Sequence, residues 1–74
     1  MIKAESNKIA YLVACVGEFA KSTGMTQQEA FRYLRYHKGL DFLSEHYEAE
    51  HMLSLEEAIA DLKMVTKQAG GMVV

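Results

Sequence analysis

Gly24-Met25-Thr26-Gln27-Gln28-Glu29 reads GMTQQE and marks two helix ends within a few residues. Gly24 tolerates the left-handed conformation that follows a helix, so it is a natural stop. Thr26 and Glu29 form a capping box. The threonine oxygen takes the amide three residues on, and the glutamate reaches back to the threonine amide. Met25 sits where a hydrophobic staple to Ala30 forms. One helix therefore ends at Gly24 and another starts at Thr26.

Working outward, the preceding helix is expected to start near Ser6, with Ser6 or Asn7 as its cap. Ile9, Leu12, Val13, Val16, Phe19 and Ala20 recur at three- and four-residue steps. Tyr11, Ala14 and Cys15 widen that stripe nearly all round. A helix apolar on most sides is buried on most sides, so this one is expected at the centre or at a subunit contact.

After Thr26, Ala30, Phe31, Leu34 and the stem of Lys38 share one face, and Gly39 is read as the stop. Leu40, Leu43 and Tyr47 predict a short third helix. Glu48 to Leu53 is ambiguous in pattern, with a turn as one reading. Ser54-Leu55-Glu56-Glu57 repeats the capping box and opens a last helix. That helix carries Leu55, Ala58, Ile59, Leu62, Val65, Thr66 and Ala69 on one stripe and ends at Gly70-Gly71. No strand alternation is sustained and there is no proline. The expected fold is all-α: a single-domain compact bundle of three to four short helices, ordered over about 6–69, with 70–74 a flexible tail.

Seventy-four residues limit the core. A domain of this size buries roughly 60% of the surface its unfolded chain exposes. Small scaffolds use disulfides, metals or partners as staples. The single cysteine, Cys15, lies between Ala14 and Val16 and reads as a small buried hydrophobe. That leaves self-association, through the first helix, or a bound protein. The longest apolar run is Ile9 to Val16, far short of the about 20 residues of a membrane span. No signal-peptide layout is seen, which points to the cytoplasm.

The net charge of −2 hides a division. Residues 1–40 carry +3. Residues 41–61 hold Asp41, Glu45, Glu48, Glu50, Glu56, Glu57 and Asp61 with no Lys or Arg, a net of −7. Separation of this kind creates a local field that selects and steers partners.

Within that stretch lies His46-Tyr47-Glu48-Ala49-Glu50-His51. His46 and Glu50 are four apart and share a helical face, but His51 fits that face poorly. No H-E-x-x-H or cysteine pair accompanies them. We therefore expect no metal and no cofactor, with His46 and His51 at a helix junction. Dense solvated carboxylates in a small bundle also argue against a tuned acid–base pair in a deep pocket. No enzymatic activity is expected. Arg32, Arg35 and Tyr36, with Tyr33 and Lys38 nearby, form a basic and aromatic face suited to phosphates and bases. The second and third helices also pass for a helix-turn-helix.

The order of pieces is similar to a known family: an apolar first helix, an aromatic second helix after Thr26, G-L-D-F-L…H-Y-E-x-E-H, and L-S-L-E-E-A-I-A-D-L. Over about residues 8–69 the chain resembles small uncharacterised bacterial proteins, a domain of unknown function often encoded beside ADP-ribosyltransferase-like toxin genes. Tyr47 and His51 stand where that family has a tyrosine followed four residues later by histidine. The resemblance implies a non-catalytic accessory, antitoxin-like, that binds a toxin-like enzyme.

The expected function is protein–protein interaction through Asp41, Glu45, Tyr47, Glu48, Glu50, His51, Glu56 and Glu57. Tyr47 would be the aromatic anchor and the acids the steering rim. The alternative is a small DNA-binding regulator using Arg32, Arg35, Tyr36 and Lys38.

Overall fold

The computed structural model describes residues 3–71, with side chains from Asn7 onward. Among these residues the chain is helical throughout: α1 (Lys3–Thr23), α2 (Gln27–Tyr36), α3 (Gly39–Glu45), α4 (Tyr47–Glu50) and α5 (Leu55–Gln68). The all-α expectation holds, with one helix more than expected. The extra one is α4, a single turn where the sequence reads as a loop. The expected flexible tail falls partly on residues 72–74, outside the described residues.

The two capping boxes form as read. The Glu29 amide donates to Thr26 Oγ1 at 3.1 Å, and the Thr26 amide donates to Glu29 Oε1 at 2.9 Å. Ser54 and Glu57 repeat both bonds at 3.1 Å. The glycine stops at 24 and 70 adopt left-handed φ of 75° and 91°. At each, the amide one residue on reaches back to the last turn: Met25 to the Ala20 carbonyl at 3.0 Å and Gly71 to that of Thr66 at 2.8 Å. These are Schellman closures.

Two boundaries differ from expectation. α1 begins at Lys3, so Ser6 and Asn7 lie inside it and not at its start. The backbone there simply continues the helix, since no breaker precedes Ser6. After α2 the left-handed residue is Lys38, with φ 70°, while Gly39 is already the first residue of α3. Gly39 is glycine for closeness. A Cβ there would stand 2.7 Å from Leu34 Cδ2 and 3.1 Å from Thr66 Cγ2. No side chain fits between α2 and α5 at that point.

The core is built from Cys15, Val16, Phe19 and Ala20 of α1, Ala30 and Leu34 of α2, Leu43 of α3, and Ile59 and Leu62 of α5. α1 packs on α2, α3 and α5, and α3 bridges α2 and α5. Phe19 stacks on Tyr33 with ring centres 5.7 Å apart. Thr66 is the one fully buried polar side chain on α5, and its hydroxyl donates back to the Leu62 carbonyl at 2.8 Å. Cys15 is buried, as its neighbours suggested.

α1 is not buried nearly all round. Ile9 and Val13 are 60% and 54% exposed, and Phe31 of α2 is exposed as well. The apolar stripe is wider than the neighbours available to cover it. Lys38 is exposed too, leaving Ala30 and Leu34 as the buried residues of α2.

Candidate functional site

The acidic segment wraps α3, α4 and the start of α5. Asp41, Glu45, Glu48, Glu56 and Glu57 are exposed, as a steering rim requires. Glu57 has a second task, because its carboxylate accepts the Ser54 amide in the capping box. Glu56 lies beside it in the first turn of α5, where the free amides favour negative charge.

Tyr47 and His51 form one packed unit. Their rings stack with centres 4.5 Å apart, and Tyr11 of α1 meets the Tyr47 ring edge-on at 5.5 Å. The Tyr47 carbonyl accepts from His51 twice, from the backbone amide at 2.9 Å and from Nδ1–H at 2.7 Å. His51 thereby closes the C-terminus of α4. Tyr47 is half-buried against α1, so its ring anchors α4 to the bundle.

Glu50 departs from expectation. It was placed on the solvated rim, yet it is 6% exposed. Because α4 is helical, Glu50 lies three residues beyond Tyr47 and turns inward with it. It joins Tyr11 and Cys15 of α1 and Asp61 of α5. Its Oε1 and the Tyr11 hydroxyl are buried with no hydrogen-bond partner among the described residues. Burial, and then the neighbouring Asp61 carboxylate, push the Glu50 carboxyl up to about 7. Burial likewise pushes the Tyr11 phenol and the Cys15 thiol up.

The acidic corner also holds side chains that sequence reading passed over. Met52 is 77% exposed, and Leu53 and Leu55 are exposed beside it. Leu55 had been placed on the buried stripe of α5, but at the first position of that helix it lies beyond the packed face. The available signal was the pair Met52-Leu53, apolar residues inside an otherwise polar and acidic turn.

Two other surfaces stand out. Ile9, Leu12, Val13 and Val16 of α1, Gln27, Gln28 and Phe31 of α2, and Leu40 of α3 line a groove of about 480 Å³ that holds no charged residue among the described residues. On the other, Arg32, Tyr33, Arg35, Tyr36 and His37 border an open depression. Tyr36 is 82% exposed there. His37, not singled out from sequence, sits between Tyr33 and Tyr36 at ring distances of 4.6 and 5.1 Å. Lys38 lies outside this border. Among the described residues no three His, Cys, Asp or Glu side chains gather as a metal site. Nor is any helix among them long and apolar enough to cross a membrane.

No curated protein and no solved structure matches the chain. A family profile described as a protein of unknown function matches residues 10–69, most of the chain and all five helices in whole or part. The chain belongs to the DUF3791 family.

Proposed function

We propose that this chain is a non-catalytic protein-binding module that docks a partner on the acidic α4–α5 corner. One observation carries the reading. Met52, Leu53 and Leu55 are exposed between Glu48 on one side and Glu56 and Glu57 on the other, with no Lys or Arg in residues 41–61. Interfaces that bind tightly pair an apolar centre with a polar rim. The apolar trio supplies the centre, and Asp41, Glu45, Glu48 and Glu56 supply a rim that selects a basic partner. The antitoxin-like setting implied by the family resemblance makes a toxin-like enzyme the specific candidate.

The test is tagged capture from the native cell, followed by kinetics with whatever partner co-elutes stoichiometrically. Glu48→Lys with Glu56→Lys is expected to slow association at least tenfold at low salt. Met52→Asp is expected to speed dissociation. Unchanged rates in both variants refute the docking corner.

A second reading, a DNA-binding regulator, draws on Arg32, Arg35 and Tyr36 around one open depression, with Lys38 just beyond it. A gel shift that is strong at low salt, weak at moderate salt and lost in Arg32→Ala/Arg35→Ala supports it. A third surface, the groove with exposed Ile9, Val13 and Phe31, is the one suited to self-association through α1.

A further inference from the structure

α4 is one turn long and carries a carboxyl into the bundle. Its backbone bonds are those of one turn and its exit: the Ala49 and Glu50 amides to the His46 carbonyl at 3.1 and 2.8 Å, the His51 amide to that of Tyr47 at 2.9 Å, and the Met52 and Leu53 amides to those of Ala49 and Glu50 at 3.3 and 3.0 Å. A helix this short does not hold itself in water. It stays closed because Tyr47 and His51 pack on Tyr11 and because Glu50 of the same turn is buried.

The surroundings of that carboxyl favour its neutral form. α1 contributes Tyr11 and Cys15, and α5 contributes Asp61. Tyr47 and His51 flank it on its own segment. Lys8 of α1 lies with Glu45, His46 and Glu48 around a separate open depression that Glu50 does not line. Among the described residues no cation acts on the carboxyl itself. An ionised Glu50 would be a buried charge with a second carboxylate beside it and one oxygen unpartnered by any described residue.

We propose that α4 is a proton-operated latch, closed on Tyr11 while Glu50 is neutral and released when Glu50 ionises, which adds a carboxylate to the acidic corner. The sign follows from the raised carboxyl. The closed state binds the proton more tightly than the open one does. Closure is therefore fully favoured below the ordinary carboxyl range, near 4.5, and is lost as pH rises to and through about 7. Two exposed histidines, His46 and His51, belong to the same segment, so a variant must isolate Glu50.

The experiment is amide exchange on the full chain at pH 5.5 and 8, corrected for intrinsic exchange, and it needs no partner. In the wild type the protection of the Glu50 and His51 amides is expected to fall at least tenfold more than that of Phe19 in α1. Glu50→Gln is expected to keep α4 protected at both values, and Asp61→Asn to shrink the wild-type fall. Flat protection in the wild type, or an equal fall in Glu50→Gln, overturns the latch. Should the glutamine variant not fold, carbon-detected titration of the wild-type Glu50 carboxyl decides. A midpoint near 7 supports the latch, and one in the ordinary carboxylate range overturns it.

Discussion

The groove beside α1 and the corner at α4–α5 both expose apolar side chains, but they differ in what surrounds them. Ile9, Val13 and Phe31 lie in a depression whose border holds no charge among the described residues. Met52, Leu53 and Leu55 stand out from a turn edged by exposed glutamates. A neutral groove gains affinity only by desolvation and offers little to steer an approaching partner. A charged corner attracts at a distance and discriminates before contact, and its effect weakens with salt. The same small bundle thus presents one face suited to a like surface and another suited to an opposite charge.

Both faces depend on one joint. Gly39 lets α3 press against Leu34 and Thr66, which ties α2 to α5. Gly39→Val is the largest effect expected: overpacking at this contact should destabilise by about 1–3 kcal/mol or prevent folding. Thermal melting with circular dichroism checks it. If both surfaces act, both binding properties should fall together in this variant. A melt unchanged from wild type would show that the joint yields easily.

Val13→Glu separates the faces. A carboxylate in the neutral groove should weaken self-association at least tenfold, read by light scattering after gel filtration. It should leave binding at the acidic corner intact. Val13 is largely exposed, so the melt should move by no more than about 0.5 kcal/mol. A wild type that stays monomeric at high concentration would remove self-association and leave the groove without that role.

Ser54→Ala tests the corner from its foundation. It removes the oxygen that accepts the Glu57 amide and should cost about 1 kcal/mol. The Glu57 amide would then lose its acceptor while the residue-54 amide still donates to the Glu57 carboxylate, and the start of α5 would fray beneath Leu55. The same change at Thr26 should cost a similar amount while leaving the acidic corner untouched. Unequal losses would show that one cap carries more of the fold than the other.

The helices were legible because their ends are written in local chemistry. Thr26, Ser54, Gly24 and Gly70 act through atoms a few residues away, so sequence spacing suffices to find them. Gly39 was misread because its reason is tertiary: the same residue type serves a left-handed turn or a close approach, and only the position of Leu34 and Thr66 decides. The burial of Glu50 was hidden for a related cause. Read as part of a loop, it belongs with the other acids. Once α4 is a turn of helix, it shares the inward face with Tyr47. Ile9, Val13 and Phe31 match a core pattern, but periodicity reports which side chains align and not whether a neighbour exists to cover them. The acidic rim was visible from composition, and its apolar centre was not, because Met52 and Leu53 belong to no periodic stripe.

The smallest effect expected is also the sharpest discriminator. Met52 is the most exposed of the corner's apolar residues and is absent from the core cluster. Met52→Ala should therefore leave the melting temperature unchanged within about 0.5 kcal/mol of stability. Val16→Ala, a substitution of similar character on the floor of the groove, removes a core contact and should be destabilising by about 1 kcal/mol or more. The groove's floor is part of the fold, so its apolar character has a structural reason. Met52 has none of that kind, and its exposure is what makes the corner the stronger candidate for docking. A clear loss of stability in Met52→Ala would mean that the side chain packs in solution, and the apolar centre of the corner would shrink to Leu53 and Leu55.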